Sequence, residues 1–153
     1  MKRHPALLPL SHDHHGELVQ ARRLRLASGS DVAEARVAAA TQYVTAFFTE
    51  TTNHFRVEEG QVFPLFVRSV GSSPLLDEVL AEHEALRGLV SALREEAATG
   101  DVSGETMVQL ADLLDANVRR EERQLFPLIE EMVSDGDLRA LDLPSSLTAA
   151  SDK

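Results

Sequence analysis

Two stretches of this chain decide how it is read. They are His54-Phe55-Arg56-Val57-Glu58-Glu59-Gly60-Gln61-Val62-Phe63-Pro64-Leu65-Phe66 and Asn117-Val118-Arg119-Arg120-Glu121-Glu122-Arg123-Gln124-Leu125-Phe126-Pro127-Leu128-Ile129. Asn117 stands 63 residues after His54, and seven of the thirteen aligned positions are identical. Shared helical composition gives fewer matches, so two elements present similar faces to one centre. The first copy carries His-x-x-x-Glu. Residues i and i+4 lie on one helix face, so His54 and Glu58 reach the same ion. The second copy keeps the carboxylate as Glu121 but has Asn117 in the histidine's place, and an amide is a poor ligand for a transition metal.

Outward from these stretches, apolar residues recur at threes and fours, the helical period, and never alternate over a strand length. Four long helices are expected. The first runs from about His12 to Ala27, capped by Ser11. The second runs from Asp31 to about Arg68, with Glu34 completing a capping box. The third begins at Pro74, capped by Ser73, and reaches about Ala98. The fourth covers about Glu105 to Val133. Pro64 and Pro127 lie inside the second and fourth, and each is expected to kink or end its helix. Short Gly/Ser/Asp breaks join them, which predicts an all-α, antiparallel, up-down-up-down four-helix bundle. Residues 1–133 make this domain. Residues 134–153 make a polar tail with a short helix near Leu138–Leu143.

The composition excludes several classes. With 153 residues, 43% hydrophobic and 26% charged, the chain has the profile of one globular domain. It has no cysteine, so zinc–thiolate, iron–sulfur and disulfide chemistry are out. Fifteen basic against twenty-five acidic residues give a net charge of -10, which repels nucleic acid. No apolar run approaches the ~20 residues of a membrane span. The segment Ala6-Leu7-Leu8-Pro9-Leu10 is too short and too proline-broken for a signal peptide. These features predict a cytoplasmic protein.

Histidines on the other two helices complete a donor set: His14 or His15 on the first and His83 on the third. His83 shares a stripe with Val79, Leu86 and Val90. The nitrogen and oxygen donors suit iron or manganese, with zinc less favoured. Four helices aiming imidazoles and carboxylates at one point is the chemistry of a carboxylate-bridged di-iron centre. Glu50, one turn before His54, is either a metal ligand, a hydrogen-bond partner of one, or an exposed glutamate. Tyr43 and the six phenylalanines read as core.

These residues resemble the hemerythrin-like family, the HHE cation-binding domain, over about residues 4 to 133. The resemblance implies a four-helix bundle around a di-iron site, with a single iron as the lesser form. It implies the metal ligands His15, His54, Glu58, His83 and Glu121. His15 is preferred to His14 because the family spaces its first histidine three residues before a leucine, here Leu18. Arg87 stands where oxygen-carrying members have a second histidine on the third helix, and Asn117 stands where the fourth helix has one. Both positions serve the metal of His83, which is left with one imidazole. The resemblance implies a protein that binds, senses or reacts with O2, NO or iron. The alternative is an O2-activating oxidase or oxygenase that takes a small molecule at the open coordination position.

Overall fold

Each long helix carries a stripe of buried apolar residues that is interrupted once by polar ones. In α1, Leu8–Ser28, the stripe reads Leu10, His14, Glu17, Ala21, Leu24. In α3, Pro74–Thr99, it reads Leu76, Val79, His83, Leu86, Val90, Leu93. The computed structural model describes residues 2–143. Among them there are helices and no strands. Helix α2 spans residues 33–70 and α4 spans residues 104–132, each as one continuous run. A short helix α5, Asp135–Arg139, follows. No helix of the described residues is long and apolar enough to cross a membrane.

Packing divides the core into two apolar layers. One holds Ala21, Leu24, Phe47, Phe55, Leu86, Val90, Leu110 and Leu114. The other holds Leu7, Leu10, Val62, Phe66, Leu76, Val79, Leu125 and Phe126. The interrupting polar residues lie between them, so the site is a polar stratum inside an apolar core. Consecutive long helices pack on each other, and α1 also packs on α4. At one end of that last pair Arg25 binds Asp112, and at the other Ser11 binds Glu122.

Helix ends follow local chemistry. Ser73 accepts from the Leu76 amide at 3.3 Å and caps α3, with Pro74 in the first position. Gly100, at φ 80°, ends that helix in the left-handed conformation. Ser103 caps α4 through the amides of Glu105 and Thr106.

Four expectations are corrected. Helix α1 starts at Leu8, after a 3-10 turn Pro5–Leu7, and not at His12. Leu7 and Leu10 are fully buried and hold that start in the apolar layer. Ser11 is therefore inside the helix, where its hydroxyl donates to Glu122 instead of capping. Helix α2 begins at Ala33 with no side-chain cap, and the Ser30 hydroxyl accepts from the Val32 amide just before it. The tail helix lies at Asp135–Arg139, capped by Ser134, and not at Leu138–Leu143. The rest of the predicted tail, residues 144–153, lies outside the described residues.

The prolines bring the fourth correction. Neither Pro64 nor Pro127 ends its helix. A wide π-turn precedes each, Glu58–Val62 and Glu121–Leu125. The amides of Phe63 and Phe126 donate to the carbonyls of Glu58 and Glu121, five residues back. That register shift puts each proline in the first turn of the next α segment. There the ring and the missing N–H are tolerated.

Candidate metal centre

The polar stratum gathers His14 and Glu17 from α1, Thr51, His54 and Glu58 from α2, His83 from α3, and Asn117 and Glu121 from α4. His14, His54, Glu58 and Glu121 offer donor atoms within 4.8 Å of one another. His83 lies on the other side of the two carboxylates. Glu58 turns Oε2 toward His54 Nε2 at 3.3 Å and Oε1 toward His83 Nε2 at 3.6 Å. Glu121 turns Oε2 toward His14 Nε2 at 2.8 Å and Oε1 toward His83 Nε2 at 2.9 Å. Each carboxylate thus spans two positions, one beside His14 and His54, the other beside His83. Asn117, one turn before Glu121 on α4, is 1% exposed.

The outward ring nitrogens fix how the imidazoles present themselves. His54 Nδ1 lies 3.2 Å from Asp13, His14 Nδ1 2.7 Å from Glu122, and His83 Nδ1 2.7 Å from Glu59. A carboxylate accepts, so each Nδ1 carries the hydrogen and each Nε2 faces the centre as a potential ligand. His14 Nε2 and His54 Nε2 stand 3.1 Å apart. At most one proton fits between them. Both Glu58 oxygens and Glu121 Oε2 are buried without a hydrogen-bond partner. A buried carboxylate in that condition is costly unless a cation sits beside it. The residues present therefore fit a metal ion: nitrogen and oxygen donors, no sulfur, inward lone pairs and unsatisfied anionic oxygens.

Two arginine-anchored groups hold the outer imidazoles. Arg87 binds Glu59 at 3.0 Å and lies over the Phe55 ring, which stacks on His83 at 3.8 Å and 13°. Arg3 binds the Glu122 carbonyl at 2.8 Å and lies over Phe126, which stacks on His14 at 5.3 Å and 22°. Glu59 and Glu122 are partners in the 63-residue repeat.

Without a metal, the charges settle among the ligands. Burial pulls His14 and His83 down, but the surrounding carboxylates outweigh it. Glu121 and Glu122 lift His14 to about 10, and Glu121 and Glu59 lift His83 to about 9. Burial also opposes charge on His54, and Glu58, Glu17 and Asp13 hold it well above its ordinary value. Burial, then the Glu121 charge, pushes Glu58 up to about 8. Burial opposes charge on Glu121 too, but Glu58, His14 and His83 hold it well below the usual range. Burial thus favours the neutral form of Glu58, while the imidazoles beside Glu121 favour its charged form.

His15 requires a correction. It is exposed, and His14 is buried in the stratum. His14 lies four residues after buried Leu10 and three before buried Glu17, so it continues the α1 stripe, while His15 is turned off it by about 100°. Glu50 does not join the donors. The π-turn Phe47–Thr51 shifts its register from His54, and it accepts instead from Gln20 at 2.9 Å. Asn117 donates through Nδ2 to Glu82 at 3.1 Å, and Arg120 holds the same carboxylate. Sequence reasoning gave Asp13, Glu17, Glu59 and Glu122 no part in the centre. The shared Glu59/Glu122 pair in the repeat was the signal for two of them.

The family model described as the hemerythrin HHE cation binding domain matches residues 7–137. No curated protein and no solved structure matches the chain significantly.

Proposed function

Since the chain belongs to the hemerythrin HHE cation-binding domain family, we propose that it is a non-haem iron protein with two metal positions of unequal strength. It binds, senses or reacts with a diatomic ligand, O2 or NO, between four antiparallel up-down-up-down helices. The observation that carries this reading is the convergence of three Nε2 atoms on two buried carboxylates, three of whose four oxygens lack a hydrogen bond, with each imidazole held from behind by another carboxylate. His14 and His54 would hold metal at the first position and His83 at the second, with Glu58 and Glu121 within reach of both. The lack of cysteine supports a place in a reducing cytoplasm.

Bound iron supplies the electrons and the open coordination that a diatomic ligand needs. The chain supplies the rest. Asp13, Glu59 and Glu122 orient the rings and raise their basicity. Phe55 and Phe126 cover His83 and His14 with apolar faces and keep bulk water out. Asn117, tied to Glu82, leaves the second position with His83 as its one imidazole. That shortfall favours a second reading, an oxidase whose small-molecule substrate occupies the open side.

Metal analysis of protein grown in iron-rich medium tests the central reading. The expected result is one tightly held iron per chain and a second fraction that a mild chelator removes readily. Protein that retains no iron overturns it. Oxygen exposure of the ferrous form separates the two readings. A reversible absorbance change marks a binder or sensor, and net oxygen consumption beyond the metal content marks an oxidase.

A further inference from the structure

A cavity of about 110 Å3 lies between α1 and α2, beside the centre. Exposed His12 is at its rim, Glu17, Gln20, Glu50 and Thr51 are in its walls, and His54 lines it from the metal side. A second cavity of about 190 Å3 shares Gln20 and Glu50 with it and adds Tyr43 and Arg23. A buried water needs only ~10–15 Å3 of such space, so an ion enters the smaller cavity with part of its hydration shell.

The walls are short of partners. Glu17 Oε1, Gln20 Oε1, Thr51 Oγ1 and the Tyr43 hydroxyl are all buried without a hydrogen bond. Glu17 is 5% and Thr51 1% exposed. The Gln20 amide nitrogen is spent on Glu50, so its oxygen is left to accept. The set is rich in oxygen acceptors, and no lysine or arginine lines the smaller cavity. An anion is repelled there and an apolar diatomic gains nothing, whereas a divalent cation gains hard oxygen ligands. The π-turn Phe47–Thr51 that carries Glu50 and Thr51 has no counterpart in α4, where residues 110–114 are plain α-helix. This wall therefore departs from the repeat that builds the centre.

We propose that this cavity is the port by which divalent metal reaches the centre, with Glu17 and Glu50 as a transient oxygen-donor site one step from His54. The port rests on the metal-binding reading above. Asp13, Glu17 and Glu50 outnumber the His54 imidazole in the lining, and a cleft in which one sign of charge dominates raises the entry rate of counter-ions by roughly 10–10³-fold. A neutralised port therefore slows loading without changing what is finally held.

The test follows Co2+ uptake into metal-free protein by stopped-flow absorbance of its d–d bands. Glu17→Gln and Glu50→Gln are each expected to slow loading by about tenfold or more. Final stoichiometry and spectrum stay as in the wild type. Glu34→Gln, an exposed control with the same change in net charge, keeps the wild-type rate. Because a port is also an exit, chelator-driven loss slows in the same two variants. Faster loss marks a weakened centre and overturns the proposal, as do unchanged rates or fewer ions bound. A wild type that takes up no cobalt sinks the metal-binding reading itself.

Discussion

At the scale of single residues, one position separates a ligand from a bystander. His14 and His15 are chemically alike, and only His14 continues the stripe from Leu10 to Ala21. His14→Ala is expected to abolish tight metal binding at the first position, and His15→Ala to leave stoichiometry unchanged. Metal counting on both variants checks this, and a loss confined to His15→Ala overturns it. Asn117 offers the complementary experiment. Its Nδ2 already donates to Glu82, a carboxylate that stands beside it as Glu59 stands beside His83. In Asn117→His, Nδ1 takes over that bond and Nε2 turns to the second position. Titration of ferrous iron into the metal-free variant is expected to show two comparable tight sites where the wild type shows a tight and a weak one. Two equal sites in the wild type sink this expectation.

Among the elements, the wide turns explain how a helix carries both a ligand and a proline. Glu58 and Glu121 each open a π-turn, and Pro64 and Pro127 follow within the next first turn. The repeat was legible in the sequence, but the prolines read as kinks or ends because a regular α-helix interior does not tolerate them, and only the ending is excluded by the structure. Where α1 meets α4 the fit is tight. A Cβ at Gly104 falls 2.6 Å from the Ser28 carbonyl oxygen, a backbone atom that cannot swing aside. Gly104→Ala gains at most about 1 kcal/mol of helix propensity. Overpacking costs about 1–3 kcal/mol. The clash is expected to win, and thermal melting of the variant should show a lowered Tm; a raised Tm refutes the close approach.

For the whole molecule, buried charge placed between two apolar layers links stability to pH. His14 and His83 are raised from an ordinary 6.5 to about 10 and about 9. The stability from their bound protons is complete below 6.5 and is lost as pH rises through those higher values. Glu58, raised from 4.5 to about 8, loses its contribution in the same upward direction. Glu121, lowered, loses its contribution as pH falls below its ordinary 4.5. Metal-free protein is therefore expected to melt at lower temperature as pH climbs from about 6.5 to 10. Metal displaces the same protons, so affinity for Co2+ rises across that window. Melts of the metal-free and cobalt-loaded forms at stepped pH check both signs, and a metal-free Tm that rises there contradicts them.

The helical class, the paired motifs around His54 and Asn117, and the candidate donors His54, Glu58, His83 and Glu121, which the fold buries together, were readable from the chain alone. Periodicity and spacing are local properties, and a helix preserves them. Asp13, Glu59 and Glu122 became partners of the imidazoles only through packing, because each bond joins different helices. The choice of His14 over His15 depended on which face of α1 met the core. The cavity beside His54 is likewise a matter of tertiary structure. Glu17 and Glu50 lie on separate helices, and the π-turn that sets the register of α2 there leaves no mark in residue spacing.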